Sequence, residues 1–196
     1  MPDFNVIADV SLTLETVLTD ALSTLLPAPP PVAQVHDLQG NISQAPATLT
    51  LFLFDVAEDP SARNRSRIRD VTPPNVTIRK PPLALMLRYL MTPWSGDRFT
   101  DHRMLGRVMQ TLYDGAIISG PQLAGGLAGS DQALKITPAT LTLDERSRVW
   151  FSVQRPYHLS VAYEVRVVNL DSEVASQKQP VGARQLDYEE LDQKET

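Results

Sequence analysis

A run of apolar residues from 83 to 91 is enclosed by prolines, with Pro81 and Pro82 before it and Pro93 after it. Successive side chains of a β-strand point to opposite faces, so this run would be apolar on both faces except at Arg88. A strand of that kind must be covered on both sides, which predicts an inner strand of a layered α/β domain. A short helix could show similar hydrophobicity, but the enclosing prolines favour a strand.

An amphipathic helix is predicted near the start of the chain, because apolar residues recur there at spacings of three and four. Asp3 is a plausible N-cap, and Pro27 would end the helix. The apolar stripe could pack on the domain's own sheet or form a subunit contact, and the pattern leaves both open. The stripe comprises Phe4, Ile7, Val10, Leu14, Val17, Leu18, Leu22 and Leu25.

The other patterned segments complete an α/β set. Two helices carry start signals: Thr100 or Asp101 can cap one, and a capping box of Thr142 and Glu145 starts the other. Gly115 would end the first of these in the left-handed conformation. The helices are predicted at 99–115 and 142–151, and strands at 32–38, 48–56 and 134–136.

The segment 158–167 alternates strictly, with apolar residues on one face and polar residues on the other. From residue 171 the chain is too polar and acidic to fold alone. We therefore expect an α/β domain at 1–170, an acidic C-terminal tail at 171–196, and a strand at 158–167 that lies at or near a sheet edge. An edge strand can pair with another chain. The candidate partner contacts on its polar face are Ser160, Glu164 and Arg166.

Residues 58–80 contain no core-forming pattern and predict a long surface loop or a protruding hairpin. Loops of that length are uncommon without a function. Four arginines make the segment basic within a chain of net charge −5. They indicate either contact with an acidic partner or a merely solvated loop. These candidate partner-binding residues are Arg63, Arg65, Arg67 and Arg69.

Composition and motifs argue against several classes of function. The 196 residues include no cysteine, which excludes disulfides and thiolate sites. No apolar run approaches the ~20 residues that cross a bilayer, and no secretory signal pattern is visible, so we expect assembly in the cytoplasm. The mildly acidic balance disfavours a general nucleic-acid binder.

No pattern predicts catalysis, a metal or a cofactor. The three histidines, His36, His102 and His158, lack the i, i+4 spacing of a helical metal pair. There is no G-x-S-x-G nucleophile motif. The glycine-rich stretch 120–130 lacks the lysine of a phosphate loop and favours a flexible connection.

Several motifs, taken in chain order, resemble those of one family. They are FNVIADVS at 4–11, RYLMTPW at 88–94, DHRMLGR at 101–107 and RPYHLSVAYEV at 155–165, together with residues 141–150. Over residues 3–168 the chain resembles the tail-terminator (cap) proteins of extracellular contractile injection systems, phage-tail-like particles of the antifeeding-prophage and Photorhabdus-virulence-cassette type.

The resemblance implies a mixed β-sheet flanked by helices, as in phage tail terminators. It also implies a structural protein that forms a homo-hexamer, a ring closing the baseplate-distal end of the inner tube and sheath in a released or anchored particle. The implied partners are the sheath protein, which exchanges strands with its neighbours, and the inner tube protein, with no nucleic acid and no membrane span. The arginine segment and the acidic tail lie outside the family motifs. Two other hypotheses stay open: a small nucleic-acid-binding protein that uses the arginines, and an enzyme with an unfamiliar site.

Overall fold

A mixed six-stranded sheet forms the centre of the computed structural model, which describes residues 4–25, 28–72, 75–172 and 175–178. The described chain contains three α-helices and nine strands. In order they are α1 (Val6–Leu22), β1 (Val32–Val35), β2 (Thr48–Glu58), β3 (Ile68–Thr72), β4 (Asn75–Arg79), β5 (Leu83–Trp94), α2 (Arg98–Asp114), β6 (Ile117–Ser119), β7 (Ala133–Pro138), α3 (Leu143–Ser152), β8 (Val161–Leu170) and β9 (Ala175–Lys178).

The chain divides into two units. The first comprises residues 1–65 and 82–171 and holds the six-stranded sheet, in the order β1-β2-β5-β8-β7-β6. Only β1 and β2 pair in parallel; the other neighbours are antiparallel. This mixed sheet with flanking helices confirms the predicted α/β (α+β) fold class.

The second unit comprises residues 66–81 and 172–196 and holds a three-stranded sheet in the order β3-β4-β9. Here β3 and β4 form an antiparallel hairpin, which confirms the hairpin interpretation of the arginine-containing segment. The strand β9 pairs with β4, although it falls in the stretch predicted to be a tail. The division therefore differs from the predicted one at 1–170 and 171–196.

The central strand is β5, which lies between β2 and β8, and this position confirms the prediction of an inner strand. On one face Leu87 and Tyr89 lie in the large core cluster together with Leu14 of α1 and Val108 of α2. On the other face Leu90 lies in a second cluster with Trp150 of α3. Both faces of the strand are covered, and this coverage is the reason that nearly every residue of β5 is apolar.

The stripe of α1 packs on the protein's own sheet. Four of the eight predicted stripe residues, Val10, Leu14, Leu18 and Leu22, are fully buried, as is the neighbouring Val6, whereas Phe4 is 78% exposed. The buried members pack within the domain, and the subunit-contact interpretation stays a prediction for the exposed end at Phe4. The N-cap position is Asn5 rather than Asp3, and Asn5 makes no side-chain capping bond. The predicted stop at Pro27 lies outside the described residues.

The predicted capping box of α3 is present, whereas the predicted cap and the predicted left-handed stop of α2 are not. The N-cap of α2 is Asp97, whose carboxylate accepts a bond from the Thr100 backbone N–H at 2.8 Å, so neither Thr100 nor Asp101 is the cap. Gly115 has φ of −106° and does not end α2 in the left-handed conformation. The capping box that begins α3 is confirmed. Backbone and hydroxyl bonds from Thr142 lower the pKa of Glu145.

The glycine-rich stretch 120–130 was predicted to be a flexible connection, but it packs against α1 and the core. Leu123 and Leu127 are buried in the large core cluster, and the Ala124 N–H donates to Thr13 Oγ1 at 3.0 Å. Gly125 has φ of +61°, and a Cβ there would lie 2.0 Å from Asp9 Oδ1. The glycine is needed both for the backbone conformation and for the close approach of α1.

The strand β8 is an inner strand, so the prediction of an edge at 158–167 is wrong. It pairs with β5 on one side and β7 on the other. Its polar residues reflect cross-strand pairing within the sheet rather than exposure at an edge. Among the described residues no helix is long and apolar enough to cross a membrane.

Leu87→Ala should lower the free energy of unfolding of the first unit by roughly 2–5 kcal/mol, because it leaves a cavity at a position that is 0% exposed. Leu83→Ala, on the same strand but 43% exposed, should cost less than about 1 kcal/mol. Urea unfolding followed by fluorescence of Trp94 and Trp150, both in the first unit, measures the difference. Equal losses would contradict the assignment of Leu87 to the core.

The buried Tyr89 hydroxyl makes stability depend on alkaline pH. It lies 2.8 Å from Ser11 Oγ, and burial raises the pKa of Tyr89 to about 12. The contribution of the neutral phenol is fully present below the unfolded-state pKa of ~10 and is lost as pH rises through the folded-state pKa. Between pH 10 and 12 the wild type should therefore lose roughly 2–3 kcal/mol relative to Tyr89→Phe. Parallel pH profiles for the two proteins in urea unfolding would contradict this.

Candidate functional site

A row of charged side chains crosses the sheet on the face that α3 partly covers. Directly opposed positions on neighbouring strands place Asp55 beside Arg88 and Arg88 beside Glu164. Arg88 Nη1 lies 3.3 Å from Asp55 Oδ2, and Arg88 Nε lies 3.7 Å from Glu164 Oε2. Thr137 and Arg166 also donate to Glu164, at 3.4 and 2.8 Å. We call these five residues the charged band.

The charged band explains the polar alternation that led to the wrong edge assignment. Glu164 and Arg166 are brought together, but they bond to each other rather than pointing to an open edge. The Glu164 side chain is only 13% exposed. Ser160 precedes β8 and is 1% exposed, so it is not a surface contact. The three predicted residues on this face therefore do not form one exposed row for a partner.

The predicted arginines are all exposed and are divided between the two units. In the first unit, Arg63 pairs with Glu58 at 3.1 Å and Arg65 donates to Asn169 Oδ1 at 2.9 Å. Arg67 and Arg69 belong to the second unit, Arg69 within β3. Arg63 and Arg65 therefore already have partners within the first unit, which limits what they can offer another molecule.

Asp59 anchors the chain where it leaves β2 toward the arginines. Its backbone N–H donates to Ala84 O at 2.8 Å, and its carboxylate accepts bonds from the Ser61 hydroxyl and N–H at 2.7 and 2.9 Å. The hydroxyl bond is the main cause that lowers the pKa of Asp59, and burial opposes it. The segment that carries Arg63 therefore begins at a turn that is hydrogen-bonded to the central strand β5.

An aromatic cluster at the opposite end of β5 was not predicted. His158 stacks on Trp94 with ring centroids 4.5 Å apart, and Trp150 meets Trp94 edge-on at 6.3 Å. The Arg155 guanidinium lies 5.6 Å from the centroid of the Trp94 ring. These residues come from two distant parts of the chain, Trp94 and the segment 150–158, and no local pattern in the sequence connects them.

Polar contacts join His158 to Asp101 and to the end of β5, whereas the buried Trp150 Nε1 has no hydrogen-bond partner among the described residues. Asp101 is buried and accepts bonds from the Ser95 N–H and hydroxyl at 3.1 and 2.7 Å. His158 Nε2 lies 3.1 Å from the carbonyl oxygen of Pro93 and 4.0 Å from Asp101 Oδ2. Burial, the largest effect, lowers the pKa of His158, so the imidazole is neutral at pH 7 and donates to the carbonyl. The arrangement joins the connection that follows β5 to the entry to β8.

The two edges of the six-stranded sheet differ. Along β1, Thr19 Oγ1 accepts from the Ala33 N–H at 3.1 Å, and Glu15 Oε2 accepts from the Val35 N–H at 2.8 Å. Side chains of α1 thus occupy the outward donors of β1. At the other end, β6 has no second strand partner among the described residues, and Ile117 is 62% exposed.

The described residues hold no group of three histidine or acidic side chains that could bind a metal. The prominent features of the described residues are instead a six-stranded sheet, a charged band, exposed arginines and one open strand edge. The fold is an α+β domain similar to that of solved tube terminators.

The chain belongs to the family described as the Pvc16 N-terminal domain, whose model matches residues 9–183. This membership confirms the resemblance to the tail-terminator family of contractile injection systems. No curated protein matches the chain.

Two solved structures have the same fold. One is the sheath/tube terminator of an extracellular contractile injection system, PVC, in its extended state, with a TM-score of 0.65, 22% identity and 95% of this chain covered. The other is the tube-terminating cap of the anti-feeding prophage, with a TM-score of 0.64, 19% identity and 92% covered. The chain spans 64% and 61% of the lengths of those two chains.

Proposed function

We propose that this protein is a structural cap, or tail terminator, of a contractile injection particle. In this role it forms a hexameric ring that closes the baseplate-distal end of the inner tube and binds the sheath. The family match over residues 9–183 carries the proposal. The similarity in fold to two proteins named as terminators supports it.

The architecture suits a ring subunit better than an enzyme. The charged band and the Asp101 network join strands and connections of the first unit through ion pairs and hydrogen bonds, which is a structural role. In a closed ring each subunit presents two different surfaces to its neighbours, and closure leaves no interface unused. We accordingly propose no catalytic activity, assembly in the cytoplasm, and residence in the finished particle.

For the sheath contact we propose the outer edge of β6, replacing the edge first predicted at 158–167. Ile136 N–H donates to Ala116 O at 2.8 Å, so the bonded pairs in this antiparallel ladder alternate and the Ile117 N–H points away from β7. An extended segment of the sheath protein can pair there through main-chain bonds. The exposed Ile117 side chain adds apolar contact.

The four arginines remain candidate contacts to an acidic surface of the particle. They are exposed, and as charges at the rim of an interface they would influence the association rate more than the final affinity. Nothing in the comparisons favours the nucleic-acid alternative. That alternative requires a steep fall of DNA binding with salt, which counterion release produces.

Deleting the gene from a producing strain should leave tubes and sheaths of uncontrolled length or detached sheaths, because nothing then blocks addition at the polymer end. Length distributions in electron micrographs measure this, with the wild-type gene restored on a plasmid as the control. Particles of normal, uniform length in the deletion strain would reject the cap assignment.

Ile117→Pro should reduce incorporation of the cap into particles several-fold, because proline removes the outward N–H of β6. Ile117→Ala keeps that N–H and is the matched control for loss of the side chain. Quantitative blotting of purified particles gives the readout, with thermal unfolding of each variant to show that the fold is intact. If Ala and Pro reduce incorporation equally, pairing at this edge is not the sheath contact.

Replacing Arg63, Arg65, Arg67 and Arg69 by Ser should slow cap incorporation at low salt and have a smaller effect at physiological salt, because salt screens exposed charges. Time courses of incorporation at the two salt concentrations measure the effect. Unchanged time courses in both conditions would leave the four arginines as a solvated surface.

A further inference from the structure

A cavity of about 220 Å³ lies within the first unit, where β7 ends and β8 begins. Side chains from α2, the β7–α3 connection, α3 and β8 form its walls. Its lining includes Met109, Thr140, Leu141, Arg146, Ser160 and Tyr163. No sequence motif or family comparison assigns a role to this cavity.

Two buried polar atoms in the cavity wall have no hydrogen-bond partner within the described part of the chain. They are Ser160 Oγ and Arg146 Nε. Ser160 is 99% buried, since only 1% of its surface is exposed. A buried polar group left without a partner costs free energy, so each such atom requires an explanation.

The acidic residues closest to Arg146 in sequence are committed elsewhere. Asp144 pairs with Arg148 at 2.9 Å. The Glu145 carboxylate is held by the Thr142 backbone N–H and hydroxyl at 2.7 and 2.8 Å. Arg146 therefore has no ion-pair partner among the described residues, whereas Arg148 on the same helix has one.

The volume of the cavity and the hydrogen-bond donors in its wall limit which ligand it can hold. A single water occupies about 30 Å³ in the liquid, so the cavity is larger than one water site requires. It is smaller than the roughly 300–1,000 Å³ of typical cofactor and drug sites. A guanidinium can only donate hydrogen bonds, and the Ser160 hydroxyl can donate a second one, so the complementary ligand has two acceptor oxygens.

We propose that this cavity binds the carboxylate of a glutamate or aspartate side chain, held by Arg146 and Ser160. A carboxylate carries the single negative charge that one arginine balances, whereas a phosphate dianion would keep an unpaired charge in a partly apolar site. The walls formed by Met109 and Leu141 suit the methylene stem of such a side chain. The sequence 186–192 contains four such side chains, at 187, 189, 190 and 192, and provides a peptide probe of this chemistry.

The test uses the full chain and two probes, a peptide of residues 186–192 and free glutarate. Binding is followed by NMR at the backbone amides of residues 160–163. The same titrations are run on a chain whose acidic side chains at 187, 189, 190, 192 and 195 are replaced by their amides, so that a tail carboxylate already bound cannot hide the site. A peptide with Gln and Asn in place of Glu and Asp is the matched control probe.

We expect the acidic peptide, glutarate or both to bind, and the amide peptide to bind at least about tenfold more weakly. Arg146→Gln should weaken binding by a similar factor and Ser160→Ala by a smaller one, whereas Arg148→Gln should leave it unchanged. Binding of the peptide alone identifies a protein side chain as the ligand, and binding of glutarate alone identifies a free carboxylate.

Two results would overturn the proposal. One is that neither probe binds to either form of the chain with dependence on Arg146, which would make the cavity a water site only. The other is that Arg146→Gln and Arg148→Gln weaken binding equally, which would indicate general attraction to α3. Thermal unfolding of each variant confirms that a loss of binding is not a loss of fold.

Discussion

The structure depends on burying both faces of one strand. β5 is covered by α1 and α2 on one side and by α3 on the other, and its neighbours β2 and β8 complete its hydrogen-bond ladder. A main chain without water around it must have its N–H and C=O groups paired, so the two neighbouring strands are as necessary as the helices. The first unit is thus arranged in layers around a single element.

The charged band shows how the same sheet tolerates charge near its centre. Arg88 lies on the central strand with an acidic residue on each side, from β2 and from β8. Removing one acid would leave a partly buried cation short of a partner, which costs more than the pair contributes when intact. The band therefore fixes the register of three neighbouring strands, because a shift of one residue would move its members to opposite faces.

Most elements of the first unit could be predicted, because their signals are local. The double-sided apolar run gave β5, the helical spacing gave α1, and Thr142 with Glu145 marked the start of α3. The position of β8 in the sheet could not be predicted, because polar residues at alternating positions look the same at an edge and in a cross-strand ion pair. The cluster of Trp94, Trp150 and His158 depends on contacts between distant segments, which no short pattern contains.

The candidate partner contacts, too, could be predicted only in part from the sequence. The arginines were visible as a local excess of one charge, and they are exposed, but the sequence did not show that Glu58 and Asn169 hold two of them. The buried Ser160 was chosen for the wrong reason, as a surface residue, because alternation predicts a face but not what covers it. Burial of Ser160 is a tertiary property, and only the folded chain shows it.

The outer edge of β1 is closed by side chains of α1, so the two edges of the six-stranded sheet are not equivalent. Thr19 and Glu15 take the outward donors of β1 for the protein itself, so a strand arriving from outside meets no free N–H at Ala33 or Val35. In an array where each member pairs with the next, a subunit that receives on one side must also offer a strand on the other for growth to continue. Of the two edges of the six-stranded sheet, β6 is the one left available for pairing among the described residues, and under the proposed function strand pairing from the sheath would end at this subunit.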